Sequence, residues 1–243
     1  MRDTCIDSYF FDFKAEPTAF SLPLIEQQAS FAAGKIRQVV QDRGYTEINL
    51  VTHSLGSYVA YKALDLDKFP KEQVRNVVSL ASPNHQAPHF VTSDLLVALE
   101  EIRVQEMPDH ISFFHFDGGA RDFFVGQLSA EIQQSNPTNT LVMHTEMMRN
   151  VQQSLDHNSQ LYSRIWLNTL VPFLAGTAQM ALDPKSTAQE RINYGLSMLE
   201  LRSPKSLKLT TEALIDQEKG QVPRCSFRVT DAQNCAKDLT NAK

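Results

Sequence analysis

The sequence has little of several features that would place a protein in a special class. Its 3 cysteines are too few for a disulfide framework, and the spacing of Cys225 and Cys235 does not decide whether they pair. No apolar run reaches the roughly 18 residues of a membrane-spanning helix, and residues 1–5 are too polar to open a signal peptide. With a net charge of -5, the chain also lacks the basic footprint of a nucleic-acid-binding protein.

What the sequence does have is the composition of an ordinary globular protein. Its 243 residues are 42% hydrophobic and 21% charged, which excludes a disordered chain and allows one domain with a sizeable core. Beyond Ser203 the sequence becomes rich in Lys, Thr, Ser and Gln. This change in composition predicts a peripheral segment at the end of the chain.

Short apolar runs alternate with segments of helical periodicity along the chain. The apolar runs predict strands at 8–13, 48–52, 77–81, 111–116 and 140–143. Helices are predicted at 23–42, where Gly44 lies just past the end, at 55–65, and from the capping box Thr187-Ala188-Gln189-Glu190 toward Leu201. Strands that alternate with helices indicate an α/β fold, with a mostly parallel sheet covered by helices on both faces.

The strongest chemical signal is the segment Val-Thr-His-Ser-Leu-Gly-Ser at 51–57, where a predicted strand passes into a predicted helix. This is the context of a nucleophile elbow, in which Ser54 would project from a tight turn and the Leu55 N–H could donate to a developing oxyanion. Gly56 supplies one of the small residues expected around such a turn, whereas Thr52 stands where glycine is usual. We expect His53, which adjoins the serine, to pack or hydrogen-bond behind the turn and not to act as the base.

A serine nucleophile needs an acid and a base, which follow it in that order along the chain in such folds. Asp117, at the end of a predicted strand, and Asp122, after a Gly-Gly turn, are both candidates for the acid. His144 and His157 are both candidates for the base. Asp156 is a plausible N-cap that would place His157 at the start of a helix. The residues alone leave both choices open.

Five blocks of sequence carry a more specific signal. They are an aromatic run with an acidic turn and Ala-Phe at 10–20, the elbow at 52–57, Leu-Ala-Ser-Pro-Asn-His-Gln-Ala-Pro at 80–88, Gly-Gly-Ala-Arg-Asp-Phe-Phe-Val at 118–125, and Asp156-His157 ahead of a helix with Trp166. In this order, over about residues 8–200, they resemble the GPI inositol-deacylase family, lipases of the endoplasmic reticulum with an α/β-hydrolase fold.

The resemblance implies a role for individual residues. It implies a triad of Ser54, Asp122 and His157, with the Leu55 N–H at the oxyanion site, and so favours Asp122 over Asp117 as the acid. The elbow departs from the family pattern at two positions, where threonine and serine replace glycines, and an asparagine is inserted in the block at 80–88.

The resemblance also concerns the organisation of the chain. The family has an earlier strand, an upstream Gly-Asn-Ala-Gly-like loop that supplies a second oxyanion donor, and transmembrane helices, none of which is found in this sequence. We therefore expect residues 1–203 to form an α/β-hydrolase catalytic domain that lacks its first strands. Residues 204–243 are expected to form a peripheral C-terminal tail.

The function that the resemblance implies is hydrolysis of the fatty acyl ester on the inositol of GPI anchors, at the endoplasmic reticulum membrane. The segment 89–102 could form an apolar acyl pocket or a helix packed on the sheet. Two alternatives are a soluble lipase or esterase for other lipids, and an inactive interaction module, because a missing oxyanion donor costs about 100- to 1000-fold in rate. No HExxH motif and no Cys/His pair at ligand spacing occurs, so we expect no metal and no cofactor. The net charge of -5 likewise leads us to expect no nucleic-acid partner.

Overall fold

A four-stranded parallel sheet forms the centre of the fold. The computed structural model describes residues 6–11, 13, 21–84, 91–94, 96–97, 108–125 and 139–199. The strands pair in the order β1-β2-β3-β4, which is also their order along the chain. Their bounds are Ile48–His53 for β1, Val74–Leu80 for β2, Ser112–Asp117 for β3 and Thr140–His144 for β4.

The register of the sheet brings the carboxyl ends of all four strands to one edge. His53 at the end of β1 pairs with Leu80 at the end of β2, which pairs in turn with Phe116 of β3. Phe116 then pairs with Met143 near the end of β4. In open parallel sheets, ligands bind outside this edge, so the register already indicates where a site should lie.

Helices cover both faces of this sheet. The α-helices whose bounds the structure gives are α1 (Leu22–Arg43), α2 (Gly56–Leu64), α3 (Ser159–Tyr162), α4 (Arg164–Ala181) and α5 (Ala188–Leu199). Residues 93–94 and 96–97 are also helical. Within these residues, no helix combines the length and the apolar character that a membrane crossing requires.

Local signals account for the ends of two helices. The Ser21 side chain accepts the Leu24 N–H at 3.3 Å at the start of α1, and Gly44 ends the helix with a left-handed backbone at φ 67°. The predicted capping box opens α5. The Glu190 N–H donates to Thr187 Oγ1 at 3.2 Å, and the Thr187 N–H donates to Glu190 Oε2 at 2.8 Å.

The larger apolar core lies between one face of the sheet and helices α4 and α5. Aromatic rings from strand and helix meet edge to face, Phe116 with Trp166 at 5.4 Å and Phe114 with Phe173 at 4.9 Å between ring centroids. On the opposite face, Tyr61 of α2 packs near Phe113 of β3, with 6.3 Å between their centroids. The α/β prediction is therefore confirmed, as are the strands expected at 48–52, 77–81, 111–116 and 140–143.

The strand predicted at 8–13 is wrong for the residues described there. Residues 8–11 and 13 have no regular secondary structure, although the rings of Phe11 and Phe13 stack with 6.3 Å between centroids. An aromatic run satisfies the side-chain preference of a strand but becomes one only when a neighbour pairs with its backbone. These residues lie outside the compact unit of residues 15–201, and the tail predicted at 204–243 lies outside the described residues.

Arg191 of α5 is buried and holds the amino-terminal ends of β2 and β3. Its guanidinium donates five hydrogen bonds of 2.7 to 3.3 Å, to the side-chain oxygens of Asn76 and Ser112 and the main-chain oxygens of Arg75, His110 and Ser186. Burial lowers the pKa of Arg191, but a guanidinium keeps its charge in proteins. The planar guanidinium can therefore donate to several acceptors that lie in different directions around it.

We expect Arg191→Lys to lower the free energy of unfolding by about 2 kcal/mol, because a single ammonium leaves several buried acceptors without a donor. Urea unfolding followed by circular dichroism measures this change. The control is Arg37→Lys, at an exposed position of α1, which should stay within about 0.5 kcal/mol of the parent chain. Equal stabilities of the two variants would contradict the role assigned to Arg191.

Candidate active site

Ser54 occupies a tight turn between β1 and α2. Its backbone is left-handed, with φ 54°, a conformation that is uncommon for residues other than glycine. The Ser54 N–H donates to the Leu80 main-chain oxygen at 2.9 Å, and the Ser54 main-chain oxygen accepts a hydrogen bond from the Ser57 hydroxyl at 3.0 Å. Strain of this kind is typical of a nucleophile elbow, where it exposes the hydroxyl above the end of the strand.

The two unusual features of the elbow sequence have local explanations. Thr52, where glycine is usual, points its hydroxyl at the neighbouring strand and donates to Ser79 Oγ at 3.3 Å. A β-carbon on Gly56 would meet no atom within 4 Å beyond its own helix. The expectation that close approach of strand and helix requires a small residue at Gly56 is therefore wrong, and the strain is concentrated at Ser54 itself.

The residues of the predicted triad form one hydrogen-bonded series. Ser54 Oγ lies 2.9 Å from His157 Nε2, and His157 Nδ1 lies 3.1 Å from Asp122 Oδ2. The Asp122 side chain is fully buried, whereas that of His157 keeps 12% of its surface exposed. Chemically, such a series can move a proton from a hydroxyl to an imidazole whose orientation is fixed by a carboxylate.

The second oxygen of Asp122 is held by the backbone that follows it. Asp122 Oδ1 accepts the N–H groups of Phe124 at 3.1 Å and Val125 at 2.9 Å. Because these bonds fix the carboxylate, Oδ2 remains directed at the imidazole of His157. Asp122 directly follows the short 3₁₀ turn Gly119–Arg121, and its own N–H bonds the Gly119 oxygen.

His157 lies in a capped turn and not at the start of a helix. Asp156 Oδ1 accepts the N–H groups of Asn158 at 3.1 Å and Ser159 at 2.9 Å, and α3 begins only at Ser159. The prediction that Asp156 is the N-cap of a helix starting at His157 is wrong, because the N-cap is Asn158 and the Asp156 carboxylate caps the turn before it. The helix begins later because the carboxylate binds the N–H groups two and three residues ahead and stabilises a turn first.

Asp117 and His144, which remain as alternatives after sequence reasoning, pair with each other. His144 Nδ1 hydrogen-bonds the fully buried Asp117 Oδ2, and Asp117 Oδ1 accepts the Gly119 N–H at 2.8 Å. Burial raises the pKa of Asp117, and the charge of Asp122 raises it further, while the bonds from His144 and Gly119 oppose this rise. Asp117 and His144 are register partners on the neighbouring strands β3 and β4, so the pairing of the sheet brings the two residues together.

The loop of the predicted acid and the loop of the predicted base are joined directly. The Leu155 N–H donates to the Gly118 oxygen at 2.7 Å, two residues before His157. Gly119, with φ 72°, lies against the hydrogen-bonded side chains of Glu146 and Ser154. The spacing between Asp122 and His157 therefore depends on how closely these two loops approach.

Exposed aromatic side chains border the site. Phe123 is 93% exposed and Phe124 58% exposed, and the Phe124 ring lies 5.4 Å from the His157 ring. Sequence reasoning missed both residues as neighbours of the site, although they belong to the Gly-Gly-x-Arg-Asp block.

Most of the segment 89–102, predicted as a possible acyl pocket, lies outside the described residues. Among the residues that are described, no group of three His, Cys, Asp or Glu side chains could hold a metal ion.

The parallel sheet, its covering helices and the strained serine between β1 and α2 are the arrangement of an α/β-hydrolase. A family model described as "PGAP1-like alpha/beta domain" matches residues 2–176. The chain belongs to this family. Its members are expected to be hydrolases of the lipase-like kind, in agreement with the resemblance found in the sequence.

Two curated proteins that are similar in sequence are named as GPI inositol-deacylases. GPI inositol-deacylase A of Yarrowia lipolytica (strain CLIB 122 / E 150) is 23% identical over 235 residues, which cover 88% of this chain and 22% of that protein. GPI inositol-deacylase of Emericella nidulans (strain FGSC A4) is 24% identical over 180 residues, covering 63% of this chain and 16% of that protein. The chain thus spans about a fifth of the length of these relatives.

A solved structure is also similar in part. It is an alpha/beta hydrolase enzyme from the metagenome of lagoon sediments of Mar Chica, Morocco, with a TM-score of 0.43 and 12% sequence identity. The match covers 67% of this chain and 76% of that one.

We expect Gly118→Ala to lower the free energy of unfolding by about 1–3 kcal/mol, because its β-carbon would lie 2.1 Å from the Leu155 main-chain oxygen. Thermal unfolding measures the change. Gly34→Ala is the matched control, since a β-carbon there meets no atom within 4 Å and the position lies inside α1. This control should gain up to about 1 kcal/mol. Loss of stability in the control, or none in Gly118→Ala, would contradict the close approach of the two loops.

Proposed function

We propose that the protein is a serine esterase in which Ser54 attacks an ester carbonyl while His157 takes the hydroxyl proton. The observation that carries this proposal is the series from Ser54 Oγ to His157 Nε2 at 2.9 Å and from His157 Nδ1 to Asp122 Oδ2 at 3.1 Å. The acyl group is transferred to Ser54, and the alcohol leaves with the proton from His157. Water, activated by the same imidazole, then releases the fatty acid.

Asp122 and Leu55 have supporting roles in this mechanism. The buried carboxylate of Asp122 keeps the imidazole in the tautomer with a hydrogen on Nδ1 and stabilises the imidazolium that forms. The Leu55 N–H, in the turn directly after Ser54, donates to the oxyanion of the tetrahedral intermediate. Because α2 begins at Gly56, the positive end of its dipole lies close to the same oxyanion.

The substrate that we propose is the fatty acyl ester on the inositol of a GPI anchor. The names of the two curated relatives support this choice, as do the exposed ring of Phe124 beside His157 and that of Phe123, its neighbour in the chain. A lipid ester brings long apolar chains to the site, and aromatic side chains at its border can bury part of them. The endoplasmic reticulum membrane is the proposed location, on the same resemblance.

We expect a fluorophosphonate to label the protein at Ser54, because the reagent phosphorylates serines activated by a neighbouring base. Ser54→Ala should abolish the label, and peptide mapping should locate it on that residue. His157→Gln should slow labelling by about 100- to 10,000-fold. His110→Gln is the matched control, since His110 bonds the main-chain oxygen of Lys71 and belongs to no part of the proposed triad. Full labelling of Ser54→Ala would contradict the proposed nucleophile.

We expect the protein to release fatty acid from an acyl-inositol GPI faster than from simple lipid esters of the same chain length. Mass spectrometry of the released acid measures both rates under identical conditions, with Ser54→Ala as the blank. Equal rates would favour a general lipase or esterase. No release from any ester, together with no fluorophosphonate label, would favour a binding module without turnover.

A further inference from the structure

We propose that His53 is a positioning residue that holds the main chain of His157 at the correct distance from Ser54. The inference rests on the proposed function, because it concerns the placement of the proposed base. It is carried by a contact that joins the elbow directly to the loop of His157. No residue of the predicted triad takes part in that contact through its side chain.

The contact is a hydrogen bond between the His53 ring and the main chain of His157. His53 Nε2 lies 2.9 Å from the His157 carbonyl oxygen, and the two ring centroids are 4.7 Å apart with 49° between the ring planes. A carbonyl oxygen only accepts, so Nε2 of His53 must carry the hydrogen. The donor and the proposed nucleophile are consecutive residues, and one strained turn therefore orients both.

The hydrogen bonds of the His157 side chain do not fix the position of its main chain. Ser54 and Asp122 contact the two ring nitrogens of His157 and so orient the imidazole. Neither of these contacts fixes the peptide from which the side chain extends. The Asn158 N–H of the same peptide bonds Asp156, but that bond stays within the turn. The nearest main-chain link to another loop is the Leu155 N–H to the Gly118 oxygen, which lies on the side of the acid. The bond from His53 supplies the corresponding link on the side of the serine.

The charge of His53 suits this position. Burial lowers the pKa of His53, and this effect outweighs the hydrogen bond to the His157 main chain, which raises it. The proximity of His157 also lowers the pKa and Asp122 raises it, and with the net lowering the ring is neutral near pH 7. The titratable groups that face it are His157 and Asp122. A neutral ring 4.7 Å from His157 does not oppose the positive charge that the base acquires when it takes the serine proton. A lysine or arginine in the same place would oppose it.

The test compares two substitutions at His53, one that keeps the aromatic ring without the hydrogen-bond donor and one that keeps the donor without the ring. His53→Phe keeps an aromatic ring beside His157 but removes the hydrogen bond, whereas His53→Gln keeps an N–H donor near the position of Nε2. We expect the rate constant for fluorophosphonate labelling of Ser54 to fall by about 10-fold or more in His53→Phe, since displacement of a reacting group by about 1 Å can cost 100-fold. His53→Gln should recover most of the rate.

The matched control is His110→Phe. His110 Nε2 also bonds a main-chain oxygen, that of Lys71 at 3.2 Å, but away from the site. This variant should label at the parental rate. Circular dichroism and thermal unfolding of all the variants show whether each one folds. Equal rates for His53→Phe and the parent, or equally slow rates for folded His53→Phe and His53→Gln, would overturn the proposal.

A second measurement is independent of turnover. In protein with ¹⁵N-labelled histidine, the chemical shifts of His53 should show a hydrogen on Nε2 and none on Nδ1 at pH 7. A bare Nε2 would overturn the proposal even if the protein labels normally. A protein that shows the expected tautomer but takes no fluorophosphonate would instead contradict the proposed esterase and leave the His53 contact supported.

Discussion

The parallel register of the four strands is the constraint on which the site depends. Because neighbouring strands end at the same edge, the pairing of the strands is enough to bring chemical groups from separate parts of the chain together there. The strained serine follows β1, and the buried Asp117 and its partner His144 end β3 and β4. The loops that follow β3 and β4 extend beyond this edge and bring in Asp122 and His157.

Most of the secondary structure could be predicted because its determinants are local. Helix α1 has a capping serine before it and a left-handed glycine after it, and α5 has both halves of a capping box. The buried strands are recognisable as short, continuous apolar runs between turn residues. The aromatic run at 8–13 failed as a strand because pairing depends on a partner backbone, which no local pattern encodes.

The site could be predicted only in part from the residues. The strand-to-helix context of Ser54 was visible in sequence, but two aspartates and two histidines stayed interchangeable until a family resemblance was considered. The structure shows that they form two separate pairs, Asp117 with His144 and Asp122 with His157. That sorting depends on a 3₁₀ turn, a left-handed glycine and one bond between two loops. Such tertiary distances have no counterpart in sequence spacing.

The buried arginine of α5 has a consequence for how such a protein can diversify. Arg191 fastens the sheet at the end opposite to Ser54, where β2 and β3 begin. Arg191 therefore stabilises the sheet at the amino-terminal ends of its strands, while the loops that would meet a substrate extend from the carboxyl ends. Away from the Gly118–Leu155 contact, insertions and substitutions in those loops can accumulate over evolution at little cost to folding. A lineage could thus change the substrate that it accepts while it inherits the same scaffold.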